Sequence, residues 1–133
     1  FDLTKANPVL LQRQAQQFPE IRFVIPHLGS GLLRELLMLA DISPNVYTDT
    51  SGLDGWVRYL PGRITRYDCL AQVLEVLGPR RVLFGSDSSF FPRGWRHDVF
   101  EQQLELFSRV GLNADEIALI LGGNLPTLIG QSD

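Results

Sequence analysis

The chain has 133 residues, 44% of them hydrophobic, which is enough for one domain with a buried core. Its formal net charge is −3 and it contains no block of Lys or Arg, so a broad nucleic-acid surface is not expected. The single cysteine, Cys69, excludes an internal disulfide framework. No run approaches the ~18 apolar residues of a membrane span, and the start at Phe1 has neither Met nor signal-peptide architecture. We expect a cytoplasmic protein with no membrane partner, whose first residue lies inside a longer fold.

Short apolar runs and helical patterns alternate along the chain, which predicts an α/β domain. The strand-like runs are rich in Val, Ile, Phe, Tyr and Thr, and several helices have sequence signals for their ends, such as Asn7-Pro8 at a start and Gly78-Pro79 at a stop. In chain order we predict helix Asn7–Phe18, strand Ile21–Pro26, helix Leu32–Ala40, strand Asn45–Thr50, helix Asp68–Leu77, strand Arg81–Ser86, helix Asp98–Val110, helix Asn113–Leu121 and a short helix after Asn124.

This alternation favours a parallel sheet covered by helices. Three strands cannot close a barrel, and a complete (β/α)8 barrel needs about 250 residues. The chain is therefore either a small open α/β domain or part of a larger barrel. The long segment Gly52–Arg66 leaves the same sheet edge as the loops after the first and third strands, so it is a candidate substrate loop.

Two polar side chains stand where predicted strands meet glycine-bearing loops. His27 follows Phe23-Val24-Ile25-Pro26, and Asp87 follows Val82-Leu83-Phe84-Gly85-Ser86. The carboxyl ends of parallel strands meet at one edge, where chemistry is done in such folds. His27 is interpreted either as a structural histidine or as a metal ligand or proton carrier. Asp87 is either a loop cap or a carboxylate beside a bound divalent metal and its water.

Several segments resemble the amidohydrolase-2 family, which includes the aminocarboxymuconate-semialdehyde decarboxylase-like enzymes. Together the segments span almost the whole chain, in the family's order and at fitting distances. They are Phe18–Gly29 for its sixth strand, Asn45–Gly52 for its seventh, Arg81–Asp87 for its eighth, and Gly111–Glu116 with Ile120–Asn124 for its closing helices.

The resemblance implies that residues 1–133 form the C-terminal portion, about strands six to eight with their helices, of a metal-dependent (β/α)8 TIM barrel. It implies that His27 is a metal ligand or general base and that Asp87 is a metal ligand or proton acceptor, with zinc as the expected metal. The family's first-strand His-x-His pair and fifth-strand histidine have no counterpart here. The amino-terminal half of the barrel is therefore an expected partner, and a homo-oligomer is possible.

Other residues receive smaller roles. His97 is expected to be a surface or capping residue at a helix start. Arg93 or Arg96, in the loop after Asp87, is a candidate for binding a carboxylate substrate. Period-two alternation places Asp49 and Ser51 on one face, and the hydroxyl of Ser51 either contacts substrate or caps a loop.

Our leading hypothesis is a hydrolase, or a decarboxylase of the same family, acting on a small organic acid, ester or lactone. The alternative is a catalytically incomplete half-barrel that serves as a binding or interaction domain. An open three-stranded sheet exposes its edges and one apolar face, so this alternative predicts self-association. A small open α/β domain that binds phosphate through the Gly29-Ser30-Gly31 turn is a weaker possibility, because the turn lacks the spacing of a Walker or dinucleotide glycine motif.

Overall fold

The computed structural model describes residues 2–88 and 94–131. The strands are β1 Phe23–Ile25, β2 Val46–Asp49 and β3 Val82–Leu83. The α-helices are α1 Gln12–Gln17, α2 Leu33–Ile42, α3 Leu53–Trp56, α4 Arg66–Leu77, α5 His97–Arg109, α6 Ala114–Ala118 and α7 Leu125–Leu128. The 3₁₀ turns are Leu3–Lys5, Pro8–Leu11, Pro26–Gly29, Val57–Tyr59 and Pro79–Arg81, and a π turn covers Leu119–Gly123.

The three strands form one parallel sheet in the order β1-β2-β3, as the alternation predicts. Val24 is paired with Tyr47 on β2, and Thr48 of β2 is paired with Val82. Each strand is shorter than its predicted run. On β1 the backbone turns at Pro26, and after β3 the N–H of Phe84 donates to the carbonyl of Ile120 rather than to β2. The segments after all three strands leave from the same edge of the sheet.

One face of the sheet is buried against the helices. Ile25, Val46 and Val82 belong to the core cluster, together with residues of α2, α4 and α5. The opposite face has no residue in that cluster, and the register places on it Val24, which is 38% exposed, and Leu83, which is half-buried. The second face also carries Tyr47, which is only 9% exposed, so it is partly open, whereas the first face is covered.

The predicted helices are present, with differences at three places. The first begins as a 3₁₀ turn because Pro8 follows Asn7, whose side chain accepts from the N–H of Val9. The helix predicted over Asn113–Leu121 continues into the π turn. The segment predicted as a loop over Gly52–Arg66 contains α3 and a 3₁₀ turn. Within the described ranges, no helix is long and apolar enough to cross a membrane.

Candidate active site

His27 lies in a left-handed turn at the carboxyl end of β1. Its φ and ψ are 57° and 37°, and Leu28 and Ser30 also have positive φ. Left-handed backbone costs ~1–2 kcal/mol for each residue other than glycine. Packing holds the turn, because Leu28 is only 3% exposed and a Cβ at Gly29 would lie 3.2 Å from Leu36 Cβ. Strain that is held in this way is concentrated at functional sites in proteins.

Asp87 has the same unusual backbone, with a φ of 54°, four residues after the end of β3. In the described ranges, the residues other than glycine with positive φ are Asp87 and the three residues of the His27 turn. Both residues singled out in the sequence therefore belong to this small group. The carboxylate of Asp87 also helps to raise the pKa of Arg96, after the larger effect of the hydrogen bond from Arg96 to Asp98.

The imidazole of His27 contacts the loop that follows β2. Its Nδ1 lies 2.7 Å from Ser51 Oγ and 3.1 Å from the main-chain oxygen of Ser51. Trp56 of α3 stacks beside the ring, with centroids 6.2 Å apart and planes 22° apart. The ring is thus held on one edge by hydrogen bonds and on one side by an indole.

Asp49, the last residue of β2, joins the end of β1 to this loop. Its Oδ1 accepts hydrogen bonds from the N–H of His27 at 3.2 Å, from the N–H of Ser51 at 2.9 Å and from the hydroxyl of Ser51. One carboxylate oxygen therefore positions both the main chain of His27 and the serine that touches its ring.

Two glycines allow these groups to approach one another. A Cβ at Gly85 would lie only 2.7 Å from Ser51 Cβ, closer than real Cβ contacts occur. Gly52 has a φ of +64°, and a Cβ there would lie 3.2 Å from His27 Nδ1 and 3.1 Å from Trp56 Nε1. The contact between His27 and Ser51 depends on both positions lacking a side chain.

A cleft of about 370 Å³ opens beside Asp87. Loop residues after β2, residues of α5 and both Ser86 and Asp87 line it, with Trp56 on the wall. Three arginines reach it: Arg58, Arg66 and Arg96. The cleft therefore combines a large aromatic side chain with three arginines and the carboxylates of Asp54 and Asp87.

The arginines of the cleft have different partners. Arg66 forms an ion pair with Asp54 at 2.7 Å. Arg96 binds both oxygens of Asp98, and this pair lowers the pKa of Asp98 to about 2. The guanidinium of Arg58 lies over the ring of its neighbour Tyr59, 4.9 Å from the ring centroid. It also donates a hydrogen bond to the hydroxyl of Tyr59.

The predicted site residues are brought together in part. His27 and Ser51 are in contact, and Ser51 is 7% exposed. Asp87 lines the cleft, whereas His27 lines a small neighbouring pocket that shares Leu53 and Trp56 with it. Arg93 lies outside the described residues. His97 lies at the start of α5, exposed and 3.2 Å from Glu101, in keeping with the surface role expected for it.

The donor chemistry at this edge suits a divalent metal, but the number of ligands is small. An imidazole nitrogen and a carboxylate oxygen are common zinc ligands, and catalytic zinc takes three protein ligands. Within the ranges that the structure covers, no cluster of three or more His, Cys, Asp or Glu side chains is arranged to hold a metal ion. His27 and Asp87 would supply two ligands of a larger set.

Two residues of the site had no role predicted from the sequence: Asp49 and Trp56. For Asp49 a signal existed, since period-two alternation placed it on the same face as Ser51. Trp56 lay in the segment expected to shape the substrate site, but its contact with His27 could not be read from spacing.

Residues 1–124 match the family model described as amidohydrolase. The chain belongs to the amidohydrolase family. This confirms the resemblance found in the sequence. A curated relative of the chain is Protein fluG of Emericella nidulans, which is 36% identical over 91 residues, 68% of the chain and 10% of the relative.

Solved structures of similar fold also match the chain. A TIM-barrel protein from Bordetella bronchiseptica has a TM-score of 0.72 and 23% identity, covering 98% of the chain and 41% of its own length. A zinc-bound amidohydrolase from Burkholderia multivorans has a TM-score of 0.65 and 22% identity, covering 92% of the chain and 49% of its own length. The chain therefore spans at most about half the length of these relatives.

Proposed function

We propose that the chain supplies part of the active site of a metal-dependent hydrolase, or of a decarboxylase of the same family. Its substrate would be a small organic acid, ester or lactone. Residues 1–133 would form the C-terminal portion of a (β/α)8 barrel, about strands six to eight. The amino-terminal half of that barrel would then be its partner, and a homo-oligomer and a cytoplasmic location stay predictions.

The observation that carries this proposal is the backbone of His27 and Asp87. Both are left-handed, and each follows a strand that flanks the central strand β2 at the same sheet edge. Neighbouring strands are about 4.8 Å apart, so residues after β1 and β3 are separated by about two strand spacings. The cleft beside Asp87 and the pocket beside His27 adjoin each other, because both are lined by Leu53 and Trp56. Strain placed twice at the catalytic edge of this fold supports a chemical role for both residues.

The side chains suggest a different role for each of the two residues. Asp87 would accept a proton from the attacking water, and Nε2 of His27 would bind the metal or move a proton at the reacting carbonyl. A divalent metal, most simply zinc, would when bound lower the pKa of water and polarise a carbonyl or carboxylate oxygen.

The cleft supports an acidic, planar substrate. Arginine binds carboxylates through paired hydrogen bonds, and Arg58, Arg66 and Arg96 reach the cleft. The indole of Trp56 offers a flat surface against which an unsaturated ring can pack. Arg93 and Ser51 are further candidates for contact with the substrate.

Turnover by the barrel that contains this chain together with its amino-terminal half, in the presence of zinc, tests the proposal. Substrates would be small unsaturated carboxylates, esters and lactones, with released acid and released CO2 followed separately to distinguish hydrolysis from decarboxylation. We expect His27→Asn and Asp87→Asn each to lower turnover at least about 100-fold, since general acid–base groups contribute on that order.

The matched controls are His97→Asn and Asp41→Asn, which change exposed residues outside the site and should leave turnover unchanged. Retention of full activity by both His27→Asn and Asp87→Asn would contradict the proposal.

The partly open sheet face favours one alternative, a catalytically incomplete half-barrel that binds another protein. Val24 is 38% exposed on that face, and none of the face belongs to the core cluster. The alternative predicts a protein that self-associates, binds no metal and turns over none of these substrates, as judged by size-exclusion chromatography and metal analysis.

A further inference from the structure

The directions of the hydrogen bonds around His27 can be assigned from the donors and acceptors present. The main-chain oxygen of Ser51 can only accept, and it lies 3.1 Å from Nδ1. The hydroxyl of Ser51 donates its single proton to Oδ1 of Asp49, so towards Nδ1 it can only accept as well. Both neighbours of Nδ1 are therefore acceptors, and a neutral His27 must carry its proton on Nδ1.

The other ring nitrogen, Nε2, is the atom that can take part in a reaction. Within the part of the chain that the structure describes, Nε2 of His27 makes no hydrogen bond. Because Nδ1 holds the proton, Nε2 has the lone pair of the neutral ring. This is the atom that can bind a metal or take a proton.

The surrounding packing maintains this arrangement. Gly85 and Gly52 lack the side chains that would displace Ser51 or the ring, and Trp56 stacks beside the imidazole. Asp49 also accepts from the main-chain N–H of His27, so the carboxylate that orients the serine is itself attached to the end of β1. The segments that follow β1, β2 and β3 thus together hold the imidazole ring and the serine beside its Nδ1.

We propose that Asp49 and Ser51 are positioning residues that fix the proton of His27 on Nδ1 and present Nε2 to the reacting groups. This deepens the proposed function and rests on it, because it specifies which atom of His27 acts. Neither Asp49 nor Ser51 needs to touch the substrate for this role.

Nitrogen NMR of the histidine rings tests the proposal without metal or substrate. The ¹⁵N-labelled chain is recorded at about pH 9, where a histidine of ordinary pKa is neutral. We expect the protonated form at Nδ1 to dominate for His27. In Ser51→Ala the ratio of the two tautomers should fall roughly five- to tenfold, the effect of losing one hydrogen bond.

His97 provides an internal control, since its tautomer ratio should not change in the same spectra. Ser108→Ala, an exposed serine on α5, is the matched serine control and should leave both histidines unaltered. If Ser51→Ala does not fold, Asp49→Asn makes the same test, because a neutral amide holds the serine hydroxyl less strongly and should also lower the ratio.

A His27 protonated on Nε2, or a tautomer ratio unchanged in the folded variant, would overturn the positioning role. The expected tautomer, together with full turnover by His27→Asn in the barrel that includes the amino-terminal half, would leave the positioning role standing and contradict the proposed function instead. In an active protein, Ser51→Ala should lower kcat with little change in KM if Ser51 acts by positioning His27, whereas a rise in KM would show that Ser51 contacts the substrate instead.

Discussion

Gly85 is the residue whose replacement should most directly disturb the site. In Gly85→Ala, the new Cβ would need space that Ser51 Cβ occupies at 2.7 Å. Overpacking of this kind costs typically about 1–3 kcal/mol, and here it would also displace the serine that holds His27. We expect the free energy of unfolding, measured in urea, to fall by that amount.

Gly55 is the matched control. It lies in α3, and a Cβ there would meet no atom within 4 Å. Because alanine favours helix over glycine by up to ~1 kcal/mol, Gly55→Ala should leave the free energy of unfolding unchanged or raise it. If the free energy of unfolding fell equally in both variants, the close approach of Ser51 to Gly85 would not be the cause of the destabilisation.

His27 and Asp87 could be identified from the sequence because each follows an apolar run and precedes small residues. The contacts of His27 could not be predicted, because they depend on which residues of β2 and its loop, more than 20 positions further along the chain, reach the histidine. Alternation placed Asp49 and Ser51 on one face, but it did not say that this face meets the end of β1. The left-handed backbone could not be predicted at His27 and Asp87 either, since only a few per cent of residues other than glycine adopt it, even though Asp and His do so more often than most.

Arg81 joins the ends of two helices to the start of the sheet. Its guanidinium donates to carbonyls of Leu77 and Val76 at the end of α4 and of Ala40 near the end of α2, at 2.9–3.1 Å. Helix carboxyl ends leave carbonyls without partners, and the planar guanidinium serves several at once.

Arg81→Lys should therefore lower the free energy of unfolding by about 1–3 kcal/mol, since one ammonium cannot replace these bonds and carbonyls lose their partners. Urea denaturation measures the change. Arg80→Lys, at the exposed neighbouring position, should have almost no effect. A similar loss in both variants would indicate a general effect of arginine rather than the carbonyl contacts of Arg81.

The start of α4 carries a capping box. The Thr65 hydroxyl accepts from the N–H of Asp68, and the Asp68 carboxylate accepts from the N–H and hydroxyl of Thr65. These bonds, the hydroxyl first, lower the pKa of Asp68 from its ordinary 3.8. The stabilisation that goes with this shift is complete above that ordinary value and is lost as the pH falls below it.

Thr65→Ala should lower the free energy of unfolding by about 1 kcal/mol near neutral pH, and the difference from the natural chain should narrow when the pH falls below 3.8. Urea denaturation at a series of pH values measures both effects. Thr127→Ala, an exposed threonine in α7 that caps no helix, should show neither. A difference that widens in acid would contradict the role of the Asp68 carboxylate.

The order of helices and strands was predictable because each has local signals, such as the caps at Asn7 and Asn113. Regions whose structure depends on contacts with residues far away in the sequence could not be predicted. α3 forms within a segment that looked irregular, where Trp56 packs on Tyr59 and His27. The π turn after α6 brings the carbonyl of Ile120 to the N–H of Phe84, a contact between residues 36 positions apart.

The two faces of the sheet differ in burial, as expected for part of a barrel. Its covered face is formed by buried residues such as Val46, Thr48 and Val82, each at 0% exposure. Its other face is partly open, with Val24 at 38% exposure and Tyr47 at 9%. A helix-covered open sheet would bury both faces. In a closed barrel the second face is filled by side chains of the remaining strands. The partly open face therefore supports the proposal that these residues pair with further strands.

Zinc binding by the 133-residue chain provides a test of how much of a metal site it holds. His27 and Asp87 supply two candidate ligands, and a catalytic zinc site takes three from the protein. We expect the chain alone to bind zinc weakly and in less than equimolar amount, as measured by competition with a chromogenic chelator. The variant His27→Asn should reduce even this binding, whereas His97→Asn should not. Tight, equimolar zinc in a monomeric chain would contradict the view that the remaining ligands come from the rest of a barrel, because the described residues would then have to complete the site by themselves.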